Sequence, residues 1–160
     1  MKSIAHLYSG SNNTTTDMHT NAIAAAHAEY VMNFDGCSKG NPGPAGAGAV
    51  IYQNGIEIWG ACEFVGKKET NNMAEYAGLI LGMKEAVHRN IRKIAIKGDS
   101  LLVIKQMRCE YKVKSENLLE SFTQAKKLEK NFDVITYDHV YRTENKRADE
   151  LSNDGLVCEK

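Results

Sequence analysis

Four acidic side chains of this chain stand in local settings that suit ligands of a metal ion. Asp35 and Asp99 each follow a short apolar run. Glu75 lies at the start of a helical pattern, and Asp149 lies in a polar segment close to the C-terminus. Mg²⁺ prefers carboxylate and water oxygens as ligands. A fold that brings the four carboxylates together could therefore hold two Mg²⁺ ions and act on a phosphodiester bond.

Each acid taken alone has a plainer explanation. An Asp after an apolar run is commonly a turn former or a helix cap. Glu75 could be a solvated residue of a first helical turn, which the helix dipole favours, and Asp149 could be an ordinary surface residue. Four acids in four different contexts, in one order along the chain, favour a shared catalytic site over four separate explanations.

Hydrophobic patterns predict the elements that must position these acids. Strands are predicted over 30–35, 45–53, 56–65, 93–98 and 132–140, with a glycine-rich turn directly after the first. Helices are predicted over 70–89, 101–108 and 116–130, with a last one that begins at Thr143 or Asn145. Asn54-Gly55 between the second and third strands is typical of a type I′ hairpin turn.

Helical spacing also predicts which faces of two helices are buried. The first helix is expected to use one face that runs through Met73, Ala77, Ile80, Lys84 and Val87, with the end of the Lys84 side chain reaching out. The helix over 116–130 is expected to be amphipathic, with an apolar face formed by Leu118, Leu119, Phe122, Ala125 and Leu128.

The order of elements indicates the α/β class. Three antiparallel strands followed by two helix-linked strands predict a mixed five-stranded sheet with flanking helices. The right-handed crossover rule places the fourth and fifth strands beside the first and parallel to it. Ligands of open α/β sheets gather at the carboxyl ends of neighbouring strands. Asp35 and Asp99 would then be neighbours at one such edge.

Four segments together resemble those of type 1 ribonuclease H, the RNase H-like fold: 35–43 (DGCSKGNPG), 70–75 (TNNMAE), Asp99-Ser100 and 145–149 (NKRAD). The resemblance covers about residues 30 to 153. It implies an endoribonuclease that hydrolyses the RNA strand of RNA–DNA hybrids and leaves 5′-phosphate and 3′-hydroxyl ends. It also implies two Mg²⁺ ions, replaceable by Mn²⁺, on the four acids Asp35, Glu75, Asp99 and Asp149.

The same resemblance implies the contacts with nucleic acid. RNA differs from DNA by its 2′-hydroxyl, and reading that group needs close backbone approach and small polar side chains. The implied RNA-binding residues are Gly36, Cys37, Ser38, Asn41, Asn71 and Asn72. The implied contacts to phosphates of the DNA strand are Lys68, Thr70 and Ser115, although Ser115 stands where many relatives have Asn. The plainer interpretation of residues 40–43 is a tight turn.

The chain departs from the family pattern at the basic protrusion that many members carry. The segment 108–117 is too short for this protrusion, and the only tryptophan of the chain is Trp59. The resemblance is therefore to a variant without it.

A second departure concerns a mobile histidine that many members have before the last acid. Here His139 falls in the predicted last strand, where a structural role is the better interpretation. Arg142 is the better candidate for a catalytic loop residue near the scissile phosphate, and an ordinary surface arginine is the alternative.

Composition limits the remaining classes. Twenty basic and twenty acidic residues leave no formal net charge, which argues against a generally basic nucleic-acid binder but allows a local basic face. The four cysteines have no CxxC spacing, and the chain has no secretory signal or membrane-spanning apolar run. We therefore expect reduced thiols, a cytoplasmic location, no membrane association and a monomer.

The first 28 residues differ in composition from the rest. They are polar and alanine-rich, and we predict a disordered N-terminal tail over 1–28, a catalytic domain over 29–157 and a C-terminal tail over 158–160. A mitochondrial transit peptide is the alternative for the N-terminal segment, but Lys2 is its only lysine or arginine.

Three other functions remain open to the sequence. A nuclease of the same fold could cut DNA, although the Asn and Gly segments favour RNA. A binding module could have kept the fold and lost catalysis, although the intact set of four acids argues against this. The pattern is also compatible with descent from the nuclease domain of a reverse transcriptase. The 160 residues leave no room for a polymerase domain.

Overall fold

A computed structural model describes residues 28–158. The predicted N-terminal tail lies almost entirely outside this range, so the domain boundaries stay predictions. The strands are β1 (Tyr30–Ser38), β2 (Gly43–Gln53), β3 (Ile56–Glu69), β4 (Lys93–Gly98) and β5 (Val134–His139). The helices are α1 (Asn71–His88), α2 (Leu101–Met107), α3 (Glu116–Glu129) and α4 (Lys146–Gly155), with a 3₁₀ turn over Arg142–Glu144 before α4.

The five strands form one sheet in the order β3-β2-β1-β4-β5. β1, β2 and β3 pair antiparallel, whereas β4 pairs parallel with both β1 and β5. This confirms the predicted mixed sheet. The hairpin turn is also as expected, because Asn54 and Gly55 both have positive φ, 50° and 80°, as a type I′ turn requires.

The segment after Asp35 differs from the prediction. The expected glycine-rich turn is mostly strand, because β1 continues through Gly36 to Ser38 and pairs with the start of β2. Only residues 39–42 turn, with φ of 112° at Gly40 and 35° at Asn41. The small side chains of β2 explain the continuation, since alanines and glycines there let the ladder extend.

The predicted face of α1 is only partly the buried one. Ile80 is buried and Lys84 is exposed, as expected, but Met73, Ala77 and Val87 are only half-buried. The buried positions instead include Tyr76, Leu79, Met83, Ala86 and the glycines 78 and 82. Glycine carries no hydrophobic signal, so the pattern could not reveal that α1 packs through its small residues.

The core consists of two layers, one on each face of the sheet. Helices α1, α2 and α3 cover one face, where the larger apolar cluster includes Phe34, Tyr76 and Ile96. Helix α4 covers the other face, where Ala148 and Leu151 pack against Val50. On the amphipathic α3, Leu119 is 48% exposed, contrary to prediction. Within residues 28–158 no helix is long and apolar enough to cross a lipid bilayer.

The connection from α2 to α3 is short. Residues 108–115 join the two helices without a further helix, which agrees with the predicted absence of a protrusion. Ser100 and Ser115 cap α2 and α3, since their Oγ atoms accept hydrogen bonds from the backbone N–H groups of Val103 and Leu118.

Glycines set the distance between the sheet and both of its helical layers. A methyl group on Gly36 would overlap the backbone of Ala74 and Glu75 in α1. On the other face, a methyl group on Gly48 would lie 2.6 Å from the backbone nitrogen of Ser152 in α4. The backbones of α1 and α4 therefore touch neighbouring strands on opposite faces of the sheet.

We expect Gly36→Ala to lower the free energy of unfolding by about 1–3 kcal/mol or more, because the added methyl group must push α1 away from β1. Gly60→Ala is the matched control, since the nearest atom to a methyl group there is Leu151 Cδ1 at 3.4 Å. Urea unfolding of both variants measures the difference. Equal losses of stability would show that the contact between β1 and α1 is not limiting.

Candidate active site

Asp35 and Asp99 meet at one edge of the sheet because of strand register. Phe34 of β1 pairs with Gly98 of β4 in the parallel ladder, so the next residue of each strand is the acid. Asp35 is only 4% exposed. Carboxylate oxygens of Asp35, Asp99 and Glu75 all lie within 4.8 Å of one another. The predicted convergence of these three acids is thus present in the structure.

Glu75 reaches this edge from the first turns of α1. Thr70 begins the helix, and its Oγ1 accepts a hydrogen bond from the backbone N–H of Met73 at 3.2 Å. The contact at Gly36 brings the backbone of Glu75 directly onto β1. The Glu75 side chain is 9% exposed, and its Oε2 atom is buried without a hydrogen-bond partner among the described residues.

Asp149 borders the three acids without belonging to the tight cluster. It lies in the first turn of α4, on the opposite face of the sheet from α1. Its Oδ1 lies 3.6 Å from Nη2 of Arg142, which is itself 79% exposed. The Asp149 carboxyl is nonetheless close enough to raise the pKa of Asp35 through a side-chain hydrogen-bonding contact.

Ser152 joins Asp149 to Asp35, and the sequence analysis missed it. Its buried Oγ lies 3.2 Å from Asp35 Oδ2 and 2.8 Å from the Asp149 main-chain oxygen. A serine hydroxyl has one proton, so it can donate to only one of the two oxygens at a time. The helical spacing from Asp149 to Ser152 is the only signal that could have indicated this role.

Asn145 holds the start of α4 to β1. The side chain is completely buried, and its Nδ2 donates to the Phe34 main-chain oxygen at 2.9 Å. Phe34 precedes Asp35, so this bond positions the helix of Asp149 against the strand of Asp35. Asn145 is predicted from the sequence as a possible start of the last helix and as part of the NKRAD motif, but its bond to β1 has no signal in the sequence.

Burial and mutual repulsion raise the pKa values of the site. Desolvation is the largest cause of the rise of the Asp35 pKa from 3.8 to about 7, followed by the charge of Asp99. The Glu75 pKa lies well above its usual range, again because of burial first and then the neighbouring charge of Asp35. Without a cation, the site therefore retains protons at a pH where isolated carboxyls are ionised.

The donor set fits a hard divalent cation. All ligand atoms of the cluster are carboxylate oxygens, which suit Mg²⁺ or Mn²⁺ rather than ions that prefer sulfur or imidazole. The Oε2 atom of Glu75 is buried without a hydrogen-bond partner among the described residues, so it is free to act as a ligand. A bound cation would supply the positive charge that these buried acids lack.

Three residues predicted to bind RNA form a hydrogen-bonded group beside the site. The backbone N–H of Ser38 donates to Asn71 Oδ1 at 2.8 Å, and the backbone N–H of Asn71 donates to Asn41 Oδ1 at 3.0 Å. Because both donors are N–H groups, both acceptors must be amide oxygens. The Nδ2 groups of Asn41 and Asn71 therefore remain as donors for a ligand.

The other predicted RNA-binding residues lie nearby with different surroundings. Gly36 is buried under α1 and offers only its backbone. The thiol of Cys37 donates to the Ser152 main-chain oxygen at 3.4 Å. Asn72 is half-buried in the first turn of α1.

The residues predicted to contact DNA phosphates are separate from the acids. Thr70 and Ser115 cap α1 and α3, two helices that pack against each other. Lys68 is exposed near the end of β3. The hydroxyls of Thr70 and Ser115 therefore have a structural role as caps, and each retains its own proton for another acceptor.

His139 has the structural position that its sequence context predicted. It is the last residue of β5, and its Nε2 lies 3.2 Å from the Asp99 main-chain oxygen, to which it can only donate. Its ring also packs edge-on against Tyr141. Arg142 lies on the 3₁₀ turn beside Asp149.

These features define a domain with the ribonuclease H fold, and comparison with known proteins agrees. The family described as "Reverse transcriptase-like" matches residues 33–155. This chain belongs to that family.

Two curated relatives are similar to the chain over most of its length. The bifunctional protein Rv2228c of Mycobacterium tuberculosis is 41% identical over 130 residues, which cover 80% of this chain and 35% of that protein. Ribonuclease HI of Halobacterium salinarum is 38% identical over 125 residues, covering 77% of this chain and 62% of that protein. The chain thus spans about a third of the first relative and less than two thirds of the second.

Solved structures match over nearly their whole length. The crystal structure of RNase H1 from Halobacterium salinarum has a TM-score of 0.76 at 35% identity, with 80% of this chain and 97% of that chain covered. LC11-RNase H1 in complex with an RNA/DNA hybrid has a TM-score of 0.75 at 30% identity, with coverages of 80% and 96%.

We expect the metal-free protein to lose stability as the pH rises from about 4 to about 7. The Asp35 pKa rises from 3.8 to about 7 on folding, so the folded state binds a proton that the unfolded chain releases in this window. The stabilisation from protonated Asp35 is fully present below its pKa of 3.8 in the unfolded chain. It is lost as the pH rises through its pKa of about 7 in the folded protein. Urea unfolding with a chelator, at about pH 5 and about pH 8, measures it.

Two controls belong to this measurement. Asp35→Asn removes the titrating group and should flatten the pH dependence between the two conditions. Added Mg²⁺ should restore stability to the wild-type protein at the higher pH. If Asp35→Asn keeps the full wild-type pH dependence, Asp35 is not its source.

Proposed function

We propose that this chain is a ribonuclease H: an endoribonuclease that hydrolyses the RNA strand of RNA–DNA hybrids and leaves 5′-phosphate and 3′-hydroxyl ends. The observation that carries the proposal is the group of carboxylates from β1, α1 and the end of β4, with oxygens within 4.8 Å of one another. A buried acidic cluster of this kind destabilises the metal-free protein through charge repulsion, and it is stabilised when cations bind to the carboxylates.

Similarity to named enzymes supports the substrate. Ribonuclease HI of Halobacterium salinarum is a relative at 38% identity, and the LC11 enzyme, with the same fold at 30% identity, was solved with an RNA/DNA hybrid. The four acids of the family pattern are all present here. This argues against a binding module that has lost catalysis.

We assign two Mg²⁺ ions to Asp35, Glu75, Asp99 and Asp149, with Mn²⁺ able to replace them. Bound divalent cations would supply the Lewis acidity that makes water a nucleophile and stabilises a leaving 3′ oxygen. The protein holds the ligands rigid through strand register, the helix contact at Gly36 and the bond from Asn145 to β1. Rigid ligands lower the reorganisation needed during reaction.

Ser152 and Arg142 have supporting functions in this proposal. Ser152 Oγ can give its proton to Asp35 or to the Asp149 main chain, so it follows changes in the charge of Asp35. Arg142 is largely exposed beside Asp149 and can contact the phosphate that is cleaved. We include Arg142 with the catalytic residues for this reason.

Recognition of RNA is assigned to the strand end and turn beside the acids. The free Nδ2 donors of Asn41 and Asn71 match the acceptor oxygen of a 2′-hydroxyl, which DNA lacks. Asn72, Ser38, Cys37 and the backbone of Gly36 complete this surface. These side chains would contact the sugar and not the edges of the bases. We therefore expect the protein to distinguish RNA from DNA without a strong preference for base sequence.

The DNA strand is assigned to Lys68, Thr70 and Ser115. Lys68 supplies a positive charge, and the two hydroxyls lie at the N-termini of α1 and α3, where the helix dipole favours phosphate. We further propose that the protein acts as a monomer in the cytoplasm, which suits its four free cysteines.

We expect Asp99→Asn to reduce hybrid cleavage by on the order of 10³-fold, because it removes a charged ligand from the acidic cluster. The assay is cleavage of an end-labelled RNA–DNA hybrid with Mg²⁺, beside wild-type protein without metal. Asp133→Asn is the matched control, since Asp133 is exposed and pairs with Arg92 rather than with the cluster.

The same assay separates the alternatives. Cutting of duplex DNA at a rate similar to the hybrid would favour a DNA nuclease of the same fold. Binding of the hybrid with no cleavage in Mg²⁺ or Mn²⁺ would favour a binding module and contradict the proposal.

We expect His139→Ala to change the cleavage rate by less than about tenfold, because His139, at the end of β5, bonds to the Asp99 main-chain oxygen and is not placed to act as a general acid or base. Single-turnover cleavage of the hybrid measures the effect. A loss of about a thousandfold would assign His139 a direct role in catalysis.

A further inference from the structure

Two of the four cysteines lie in direct contact on the face of the sheet that α4 covers. Cys62 is in the middle of β3, and Cys158 follows the end of α4. Their Sγ atoms are 2.7 Å apart, less than 1 Å longer than the about 2.05 Å of a disulfide bond. The other two cysteines differ, because Cys37 bonds to a main-chain oxygen and Cys109 is exposed.

We propose that Cys62 and Cys158 form a reversible disulfide when the protein meets an oxidant of the disulfide class, and that this bond fastens the C-terminal end of α4 to β3. The proposal is independent of the proposed enzymatic activity. The disulfide would hold α4 more firmly against the sheet, and α4 carries Asp149 and Ser152 beside the acidic cluster.

The chemistry is thiol–disulfide exchange with a small-molecule disulfide such as oxidised glutathione. One cysteine thiolate attacks a sulfur of the oxidant, forms a mixed disulfide and releases one small thiolate. The second cysteine thiolate then attacks the cysteine sulfur of the mixed disulfide and releases the second small thiolate. The protein loses two electrons and two protons, and the oxidant becomes two thiols.

The location explains why a bond here would matter. A methyl group on Gly155 would lie 2.6 Å from the Glu63 main-chain oxygen and 3.0 Å from the Ala47 nitrogen, so the end of α4 rests on the sheet backbone beside Cys62. Beyond this point, Val157 is 80% exposed, and the backbone N–H groups of residues 156–158 bond to the preceding helical turn. A disulfide would add a covalent attachment where the chain has few others.

The Cys62 thiol is a slow nucleophile at neutral pH. Contact with Cys158 is the largest cause of the rise of the Cys62 pKa to about 11, followed by burial. A thiol with a raised pKa is mostly protonated and reacts slowly. Formation of the bond is therefore expected to need an added disulfide oxidant and a long incubation.

The experiment uses the full chain with Cys109→Ser, which removes the exposed thiol that could crosslink two molecules. Protein incubated with oxidised glutathione should lose two titratable thiols and yield a crosslinked peptide that joins Cys62 to Cys158. The bond closes a long loop, so the melting temperature should rise by about 5–10 °C and return on addition of dithiothreitol.

Cys62→Ser and Cys158→Ser, each in the same background, are the controls. Both should show the melting temperature of the reduced protein under oxidising and reducing conditions. Cys158 lies after the last helix, so its substitution keeps the test decisive even if Cys62→Ser folds poorly. Three titratable thiols after oxidation, a crosslink to Cys37, or an oxidation-dependent rise that persists in Cys158→Ser would overturn the proposal.

Discussion

Repulsion among buried carboxylates is the constraint around which this protein is organised. Asp35 and Glu75 are nearly inaccessible and share a small volume with Asp99. Burial and like charge both raise the pKa values of Asp35 and Glu75, so the arrangement opposes folding unless protons or cations neutralise it. The rest of the fold must supply enough packing free energy to hold the three acids in place.

Backbone contact at glycines provides this rigidity. Gly36 lets α1 lie directly on β1, and Gly48 lets α4 lie directly on β2. Large side chains at either position would separate the layers and move Glu75 or Asp149 away from Asp35. Two apolar clusters, one on each face, then stabilise the contacts. The acidic site lies where both layers meet β1 at Asp35.

Hydrogen bonds across these layers fix the side of the site that α4 forms. Asn145 bonds to the main chain of β1, and Ser152 connects Asp149 to Asp35. Helix α4 lies directly on β2 at Gly48, whereas Val157, just after the helix, is exposed. The pair Cys62–Cys158 lies at the end of this helix, which is where an additional bond would have the greatest effect on its position.

The element order, the mixed sheet and the meeting of Asp35, Glu75 and Asp99 could be predicted from the sequence, whereas Asp149, predicted with them, lies beside the cluster. Those conclusions depend on local features: apolar runs, the Asn54-Gly55 turn, and acids placed directly after strands. The helix caps at Thr70, Ser100 and Ser115 are local features of the same kind, since each side chain bonds within its own first helical turn.

Only the tertiary structure decided the buried face of α1, the length of β1 beyond Asp35, and the functions of Asn145 and Ser152. Glycine gives no hydrophobic signal, so packing through Gly78 and Gly82 was invisible in the pattern. Ser152 and Asn145 act on residues more than a hundred positions away. Such contacts exist because two layers press against one strand, and no local spacing encodes them.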